Sequence, residues 1–176
     1  LAIVEQSDAD AACRCHFERG ERHAAIGDIG AAVDPLGLGE DEVASGALGF
    51  EAMSRGAREV VFVEKSPLAA RVLRANAEML EADCADIRQD DALKFLANRP
   101  GEPFDVVFLD PPFAAAMHGE LCRLLDERSW VHRDSLVYIE EDRAAPPVEL
   151  PAGWTISRSR TAGNVRYSLA KAGNGA

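Results

Sequence analysis

The sequence predicts an α/β fold, a mostly parallel sheet that closes with an antiparallel hairpin. Three observations predict it. From Gly46 onward, short β-branched runs alternate with helical patterns, the arrangement of strands connected through helices. The strongest strand pattern, Phe104-Asp105-Val106-Val107-Phe108-Leu109, runs straight into Asp110-Pro111-Pro112-Phe113. The tail holds two strand patterns joined through Thr161-Ala162-Gly163-Asn164, a hairpin signal that makes the sheet a mixed one.

The elements follow in order. Gly46 to Arg55 reads as a helix with Leu48, Ala52 and Met53 facing inward, closed by Gly56. Glu59-Val60-Val61-Phe62-Val63 is a buried strand ending at Glu64. Ser66-Pro67 opens the next helix, with Ser66 as N-cap and proline in the first turn. Its apolar stripe is Leu68, Val72, Leu73, Ala75, Met79 and Leu80. Cys84 to Arg88 is a short strand and Asp91 to Ala97 a short helix. After the Asp-Pro-Pro-Phe corner come a helix near Gly119 to Asp126 and the strand Leu136-Val137-Tyr138-Ile139. Trp154 to Arg160 and Val165 to Ala170 form the hairpin. Residues 1–40 show no persuasive periodicity, so the N-terminal part is expected to be irregular.

The chain has 176 residues, which suits one domain. No run approaches the roughly 20 apolar residues of a membrane span, and Leu1 to Asp10 shows no secretory signal. A cytoplasmic monomer that works without a membrane is expected. The four cysteines match neither a disulfide framework nor a paired zinc pattern, and no metal is expected. The net charge of −11 argues against broad nucleic-acid binding. Residues 1–45 hold ten acids and three bases, however, and the remainder twenty acids and sixteen bases. A local basic surface is therefore compatible with an enzyme that reads one base in a pocket.

Asp110-Pro111-Pro112-Phe113 is the most informative tetrapeptide. It stands at the carboxyl end of a strand, where open α/β sheets place ligands. An exocyclic amine on a base is a poor nucleophile, because its lone pair is delocalised into the ring. The Asp110 carboxylate and the Pro111 carbonyl could both accept from its N–H groups. Pro111 and Pro112 stiffen the turn, and Phe113 offers a face for stacking a base. The same residues would also serve a plain proline turn capped by Asp110.

Glu64 ends its strand beside Lys65, and an acid at such a place can accept from both hydroxyls of a ribose. Gln89-Asp90-Asp91-Ala92 follows the next strand. Asp91 could accept from an adenine amino group or cap a helix, and Ala92 leaves room for a ring. The small residues Ala44, Ser45 and Gly46 would let a cofactor's amino-acid end approach a helix N-terminus. The succession of small-residue turn, acid-ended strand, Asp-Ala and Asp-Pro-Pro-Phe is more specific than any one member. Arg158, Arg160 and Arg166 cluster on the hairpin as a candidate basic patch for substrate. His118, just after the corner, is a weaker candidate, and Trp130 and Trp154 read as packing residues.

From Ala44 to Ala170 these residues resemble the bacterial 16S ribosomal RNA guanine-N2 methyltransferase family. The stretch Ser45-Gly46-Ala47-Leu48-Gly49-Phe50-Glu51-Ala52-Met53-Ser54-Arg55-Gly56-Ala57 looks like its cofactor loop and first helix. Asn76, the strand into Asp110-Pro111-Pro112-Phe113, and Gly163-Asn164-Val165-Arg166-Tyr167 also fit. The resemblance implies a seven-stranded, Rossmann-like methyltransferase sheet with the last strand antiparallel, using S-adenosylmethionine. Its implied partner is 16S ribosomal RNA or a small-subunit assembly particle. It implies cofactor contacts at Ala44, Ser45, Gly46, Glu64, Lys65, Asp91, Ala92 and Asp110. Catalysis would fall to Asp110, Pro111, Pro112 and Phe113, and substrate contacts to Phe113, Arg158, Arg160 and Arg166.

Residues 1–43 depart from the family. Where its first strand ends in an acid and a Phe-Ala-Gly-Ser-Gly turn, this chain reads Glu40-Asp41-Glu42-Val43-Ala44-Ser45-Gly46, with Glu40 in the acid's place. The family's basic arm is absent from this stretch. The domain expectation is therefore an atypical segment 1–43, altered or read out of frame, before a methyltransferase domain 44–172. Two other readings stay open: a DNA adenine-N6 or cytosine-N4 methyltransferase, and a non-catalytic RNA- or nucleotide-binding relic.

Overall fold

A computed structural model describes residues 1–6, 46–98, 100, 102–111 and 116–173 of the chain. The strands are β1 (Ala2–Gln6), β2 (Ala57–Val63), β3 (Ala85–Arg88), β4 (Phe104–Leu109), β5 (Val131–Asp142), β6 (Thr155–Ala162) and β7 (Val165–Lys171). The helices are α1 (Ala47–Ser54), α2 (Pro67–Met79), α3 (Ala92–Leu96) and α4 (His118–Glu127). Among the described residues, seven strands are ordered β3-β2-β1-β4-β5-β7-β6. β2 and β3 are parallel, as are β4 and β5, while β7 runs antiparallel to both β5 and β6. The sheet is thus mixed, as the sequence predicts. Two compact units divide the chain: Ala2 with Val4–Asp90, and Leu1 and Ile3 with Asp91–Ala176.

The N-terminal expectation needs correction. Residues 2–6 are not irregular but form β1, which takes the third place in the strand order, between β2 and β4. Ala2, Ile3 and Val4 are all buried. A strand covered on both faces reads as a plain apolar run instead of an alternation, and a run this short carries no period. The stretch Glu40 to Ser45, read above as the counterpart of a first strand, lies outside the described residues.

In the first unit, α1 begins at Gly46, whose φ of 73° is left-handed and suits glycine. Its buried face is Gly49, Phe50 and Met53, so the stripe sits one position round from Leu48 and Ala52. Phe50 and Phe62 of β2 pack with ring centroids 4.9 Å apart. A Cβ on Gly49 would lie 2.4 and 2.5 Å from two carbons of the buried Phe62 ring. Glycine inside a helix is ordinarily about 1 kcal/mol worse than alanine. Here the overlap reverses the sign. Gly49→Ala is expected to destabilise the fold by about 1–3 kcal/mol in chemical denaturation; a gain in stability would show that Phe62 yields freely.

The cap of α2 is as predicted. Ser66 Oγ accepts from Ala69 N–H at 3.3 Å, and Pro67 opens the helix. Its buried face, however, is Ala69, Ala70, Val72, Leu73 and Asn76, and Leu68 and Met79 are exposed. That set keeps the helical spacing of three and four with small residues against the sheet.

In the second unit, β4 and β5 run in register from Val106↔Leu136 to Leu109↔Ile139, after an irregularity beyond Phe104. One face of β5 is fully buried at Val137, Ile139 and Glu141, whereas Leu136, Tyr138, Glu140 and Asp142 are half-buried. α4 buries Leu121, Cys122, Leu124 and Leu125. Trp130 and Trp154 are packing residues, as expected. Trp130 Nε1–H donates to the carbonyls of Leu96 and Asn98 at 2.9 and 3.1 Å, and Trp154 Nε1–H to Asp126 at 3.0 Å. Cys122 is a buried free thiol, and Cys84 is disulfide-bonded, a pairing the cysteine spacing does not announce.

Candidate functional site

Each unit carries candidate residues of its own. In the first unit, β2 delivers Glu64. Its backbone N–H donates to the Arg88 carbonyl at 3.0 Å, and its carbonyl accepts from Asp90 N–H at 3.1 Å. One carboxylate oxygen accepts from Ser66 N–H at 2.7 Å. The side chain is therefore pinned to the turn that starts α2, and its second oxygen keeps the acceptor capacity a vicinal diol would need. Lys65 beside it is exposed. Gly46 supplies the N-terminal end of α1. Ala44 and Ser45 lie outside the described residues.

In the second unit, Asp91 is the N-cap of α3. Its Oδ1 accepts from Leu93 N–H at 3.0 Å and Lys94 N–H at 3.4 Å. The helix-cap reading of Asp91 therefore holds, and Ala92 is the first helical residue behind it.

Asp110 and Pro111 follow β4 directly; Pro112 and Phe113 lie outside the described residues. Strand register sets the surroundings of Asp110. Because Leu109 pairs with Ile139, Asp110 emerges beside Glu140, and Phe108 beside Tyr138. The face continues onto β7, where Tyr167 pairs with Glu140. The Phe108 and Tyr138 rings meet edge to face at 6.0 Å, and Tyr138 and Tyr167 stack at 6.2 Å. Two carboxylates thus stand at the end of an aromatic row.

Asp110 is exposed to solvent on one side, yet the protein packed around the rest of it raises its carboxyl above the ordinary aspartate range, with burial as the leading cause. Glu140 is half-buried and is also raised, first by burial and then by the charge of Asp110, with the Tyr138 hydroxyl bond opposing. The Tyr138 phenol is pushed up by burial and by Glu140. His118 is buried, and its Nε2–H donates to the Glu140 carbonyl at 2.7 Å. That bond fixes its tautomer and spends the ring nitrogen on the scaffold.

The three arginines separate. Arg158 and Arg160 are exposed on β6, paired with Leu169 and Tyr167, so they share the face of Tyr138 and Glu140. Arg166 pairs with Glu141 across β5 and β7, on the opposite face. Its Nε lies 3.2 Å from the Glu141 carboxylate, and its Nη2 donates to the Ala145 carbonyl at 2.8 Å. Both side chains are largely buried, and Glu141 also accepts from Val148 N–H at 2.8 Å. Arg166 holds the loop after β5, unlike its two neighbours.

Burial and Glu141 push the Cys122 thiol up to about 12. At neutral pH it is not a thiolate and so not a nucleophile. Among the described residues no group of three or more potential metal ligands occurs, and no helix is long and apolar enough to cross a membrane. Sequence reading missed Glu140, Tyr138 and Tyr167, because only the strand register brings them beside Asp110.

The family model described as conserved hypothetical protein 95 matches residues 43–171. Ribosomal RNA small subunit methyltransferase D of Haemophilus influenzae is 38% identical over 128 residues, 71% of this chain and 66% of that protein. The protein of the same name from Escherichia coli K12 is 35% identical over 125 residues, 71% of this chain and 63% of that one. The chain thus spans less than two thirds of these relatives' length. A solved Haemophilus influenzae structure is 36% identical with a TM-score of 0.68, covering 74% of this chain and 82% of that one.

Proposed function

The chain belongs to the conserved hypothetical protein 95 family, and from that membership we propose that it transfers a methyl group from S-adenosylmethionine to the exocyclic N2 amine of a guanine in 16S ribosomal RNA. The carrying observation is the end of β4, where a carboxylate with raised proton affinity is followed at once by a proline. The small-subunit methyltransferase names of the relatives support the substrate class. Residues 44–172 are the proposed catalytic domain of a cytoplasmic monomer.

The cofactor supplies an activated methyl on a sulfonium, so the protein needs neither metal nor covalent nucleophile. The donor set fits that group. Glu64, pinned by Ser66, is assigned to the ribose hydroxyls, Asp91 to the adenine amino group, and the Gly46 end of α1 to the amino-acid portion. Ala44, Ser45, Lys65 and Ala92 complete the proposed cofactor contacts. Asp110 and the Pro111 carbonyl accept from the amine N–H groups, orienting the nitrogen lone pair toward the methyl carbon. Pro112 and Phe113 continue the strip, with Phe113 assigned to base stacking. Arg158 and Arg160 are assigned to phosphates; Arg166, committed to Glu141, is left out.

The test is methyl transfer from labelled S-adenosylmethionine to undermodified small-subunit particles, with naked DNA in parallel. Label in the 16S RNA, mapped to guanine N2, is the expected outcome. Label in DNA would favour an adenine-N6 or cytosine-N4 enzyme. A folded sample that binds no cofactor in calorimetry would favour a non-catalytic relic.

A further inference from the structure

The two faces of the sheet in the second unit differ. On one, Val137, Ile139, Glu141, Ser168 and Ala170 are buried. On the other, Phe108, Tyr138, Tyr167 and Leu169 keep part of their surface in solvent. Strand register lays two lines across this open face. In the first, Phe108 pairs with Tyr138, Tyr138 with Leu169 and Leu169 with Arg158. In the second, Asp110 stands beside Glu140, Glu140 pairs with Tyr167 and Tyr167 with Arg160. Both lines end in an arginine on β6, the last strand in the order, every residue of which is exposed. Between the two charged ends lie rings: Phe108 meets Tyr138 at 6.0 Å, and Tyr138 stacks on Tyr167 at 6.2 Å.

The face is therefore graded, from carboxylates through aromatic rings to cations. That order matches the parts of a polynucleotide strand. A phosphate is drawn to the β6 edge and repelled by Asp110 and Glu140. A base presents an uncharged π-face, which stacks on a ring whatever its sequence. With strands about 4.8 Å apart, Tyr167 lies about 10 Å and Arg160 about 14 Å from Asp110 along the second line. A base beside the one held at Asp110 reaches the first distance, and its phosphate the second. Paired RNA keeps its base faces in its own stack, so the strand must be single. We propose that this open face binds the single-stranded RNA next to the target guanine, Tyr167 stacking the neighbouring base while Arg158 and Arg160 hold its phosphates. The inference rests on the functional reading above, and it adds a second base site to the one at Asp110.

The experiment measures the affinity of the full chain for a short fluorescein-labelled single-stranded RNA by anisotropy, over a range of salt. Tyr167→Leu keeps an apolar side chain but loses the ring, and it is expected to bind about 5- to 150-fold more weakly. Tyr167→Phe keeps the ring and should bind as the parent does. Arg158→Gln combined with Arg160→Gln should flatten the dependence of log affinity on log salt by about 1.4, the value for two phosphates on a single strand. Tyr167→Trp gives a readout that does not depend on the leucine variant folding. Its indole emission should be quenched by the RNA, over a constant background from the buried Trp130 and Trp154.

An unchanged affinity in Tyr167→Leu, or an unquenched indole in Tyr167→Trp, overturns the proposal. So does a parent chain that binds no RNA and sediments as a dimer that the arginine double variant dissolves, since a second copy would then be the occupant. RNA binding that depends on Tyr167 in a chain that methylates no RNA keeps the platform and removes the functional reading. Methyl transfer at the parental kcat and KM in Tyr167→Leu does the reverse.

Discussion

Replacing Asp110 with alanine is expected to slow methyl transfer by about 10²–10⁴-fold, the usual loss for a positioned acid–base group or a charge-stabilising contact. The measurement is a single-turnover rate on small-subunit particles at saturating cofactor. Loss of the carboxylate leaves the amine with only the Pro111 carbonyl, which orients one N–H but cannot take a proton. Cofactor affinity, read by calorimetry, should fall far less than the rate. Unfolding does not offer an alternative explanation, and the sign of linkage says why. Burial raises the Asp110 carboxyl above its ordinary value, so the folded state binds that proton more tightly than the unfolded chain. Its favourable contribution is full below the unfolded pKa and is lost as pH rises through the folded one. At neutral pH the ionised side chain is thus a cost to the fold, and Asp110→Ala should melt no earlier than the parent. A variant that melts normally and turns over normally would remove Asp110 from the mechanism.

How far the sequence discloses this arrangement depends on the scale of the signal. β4 is legible because an apolar run ends in two prolines, and no packing detail is needed to see the corner. The cap of α2 is equally local. β1 is not legible, since a central strand buried on both faces has no alternation and Ala2-Ile3-Val4 is too short to announce itself. The α2 stripe is displaced because Ala69, Ala70 and Asn76 occupy the inner face, while hydropathy favours the larger Leu68 and Met79. Parity decides the rest. Arg160 and Arg166 look alike in a composition of basic residues, yet the hairpin register puts them on opposite faces. Glu140 and Glu141 are adjacent acids with separate fates: one stands beside Asp110 and the other is buried with Arg166. Only strand pairing distinguishes them.

That difference makes Arg166 a test of structure against binding. Arg166→Met is expected to destabilise the fold by about 3–5 kcal/mol, because it leaves the buried Glu141 carboxylate without its cation. For a chain of this size the shift corresponds to roughly 6–20 °C in Tm, read by thermal unfolding. The loop after β5 should loosen first, since Arg166 also donates to the Ala145 carbonyl. Val148 N–H remains on Glu141, but one amide cannot replace a guanidinium. The companion variant decides how much of the loss is the pair and how much the stranded charge. Glu141→Leu combined with Arg166→Met removes both charges, and such replacements are often neutral or better. The double variant should therefore recover most of the stability lost in the single one. If Arg166 were instead a phosphate contact, the single variant would melt normally and bind RNA more weakly with a shallower salt dependence. A normal melting curve in Arg166→Met would thus return the residue to the basic surface of Arg158 and Arg160.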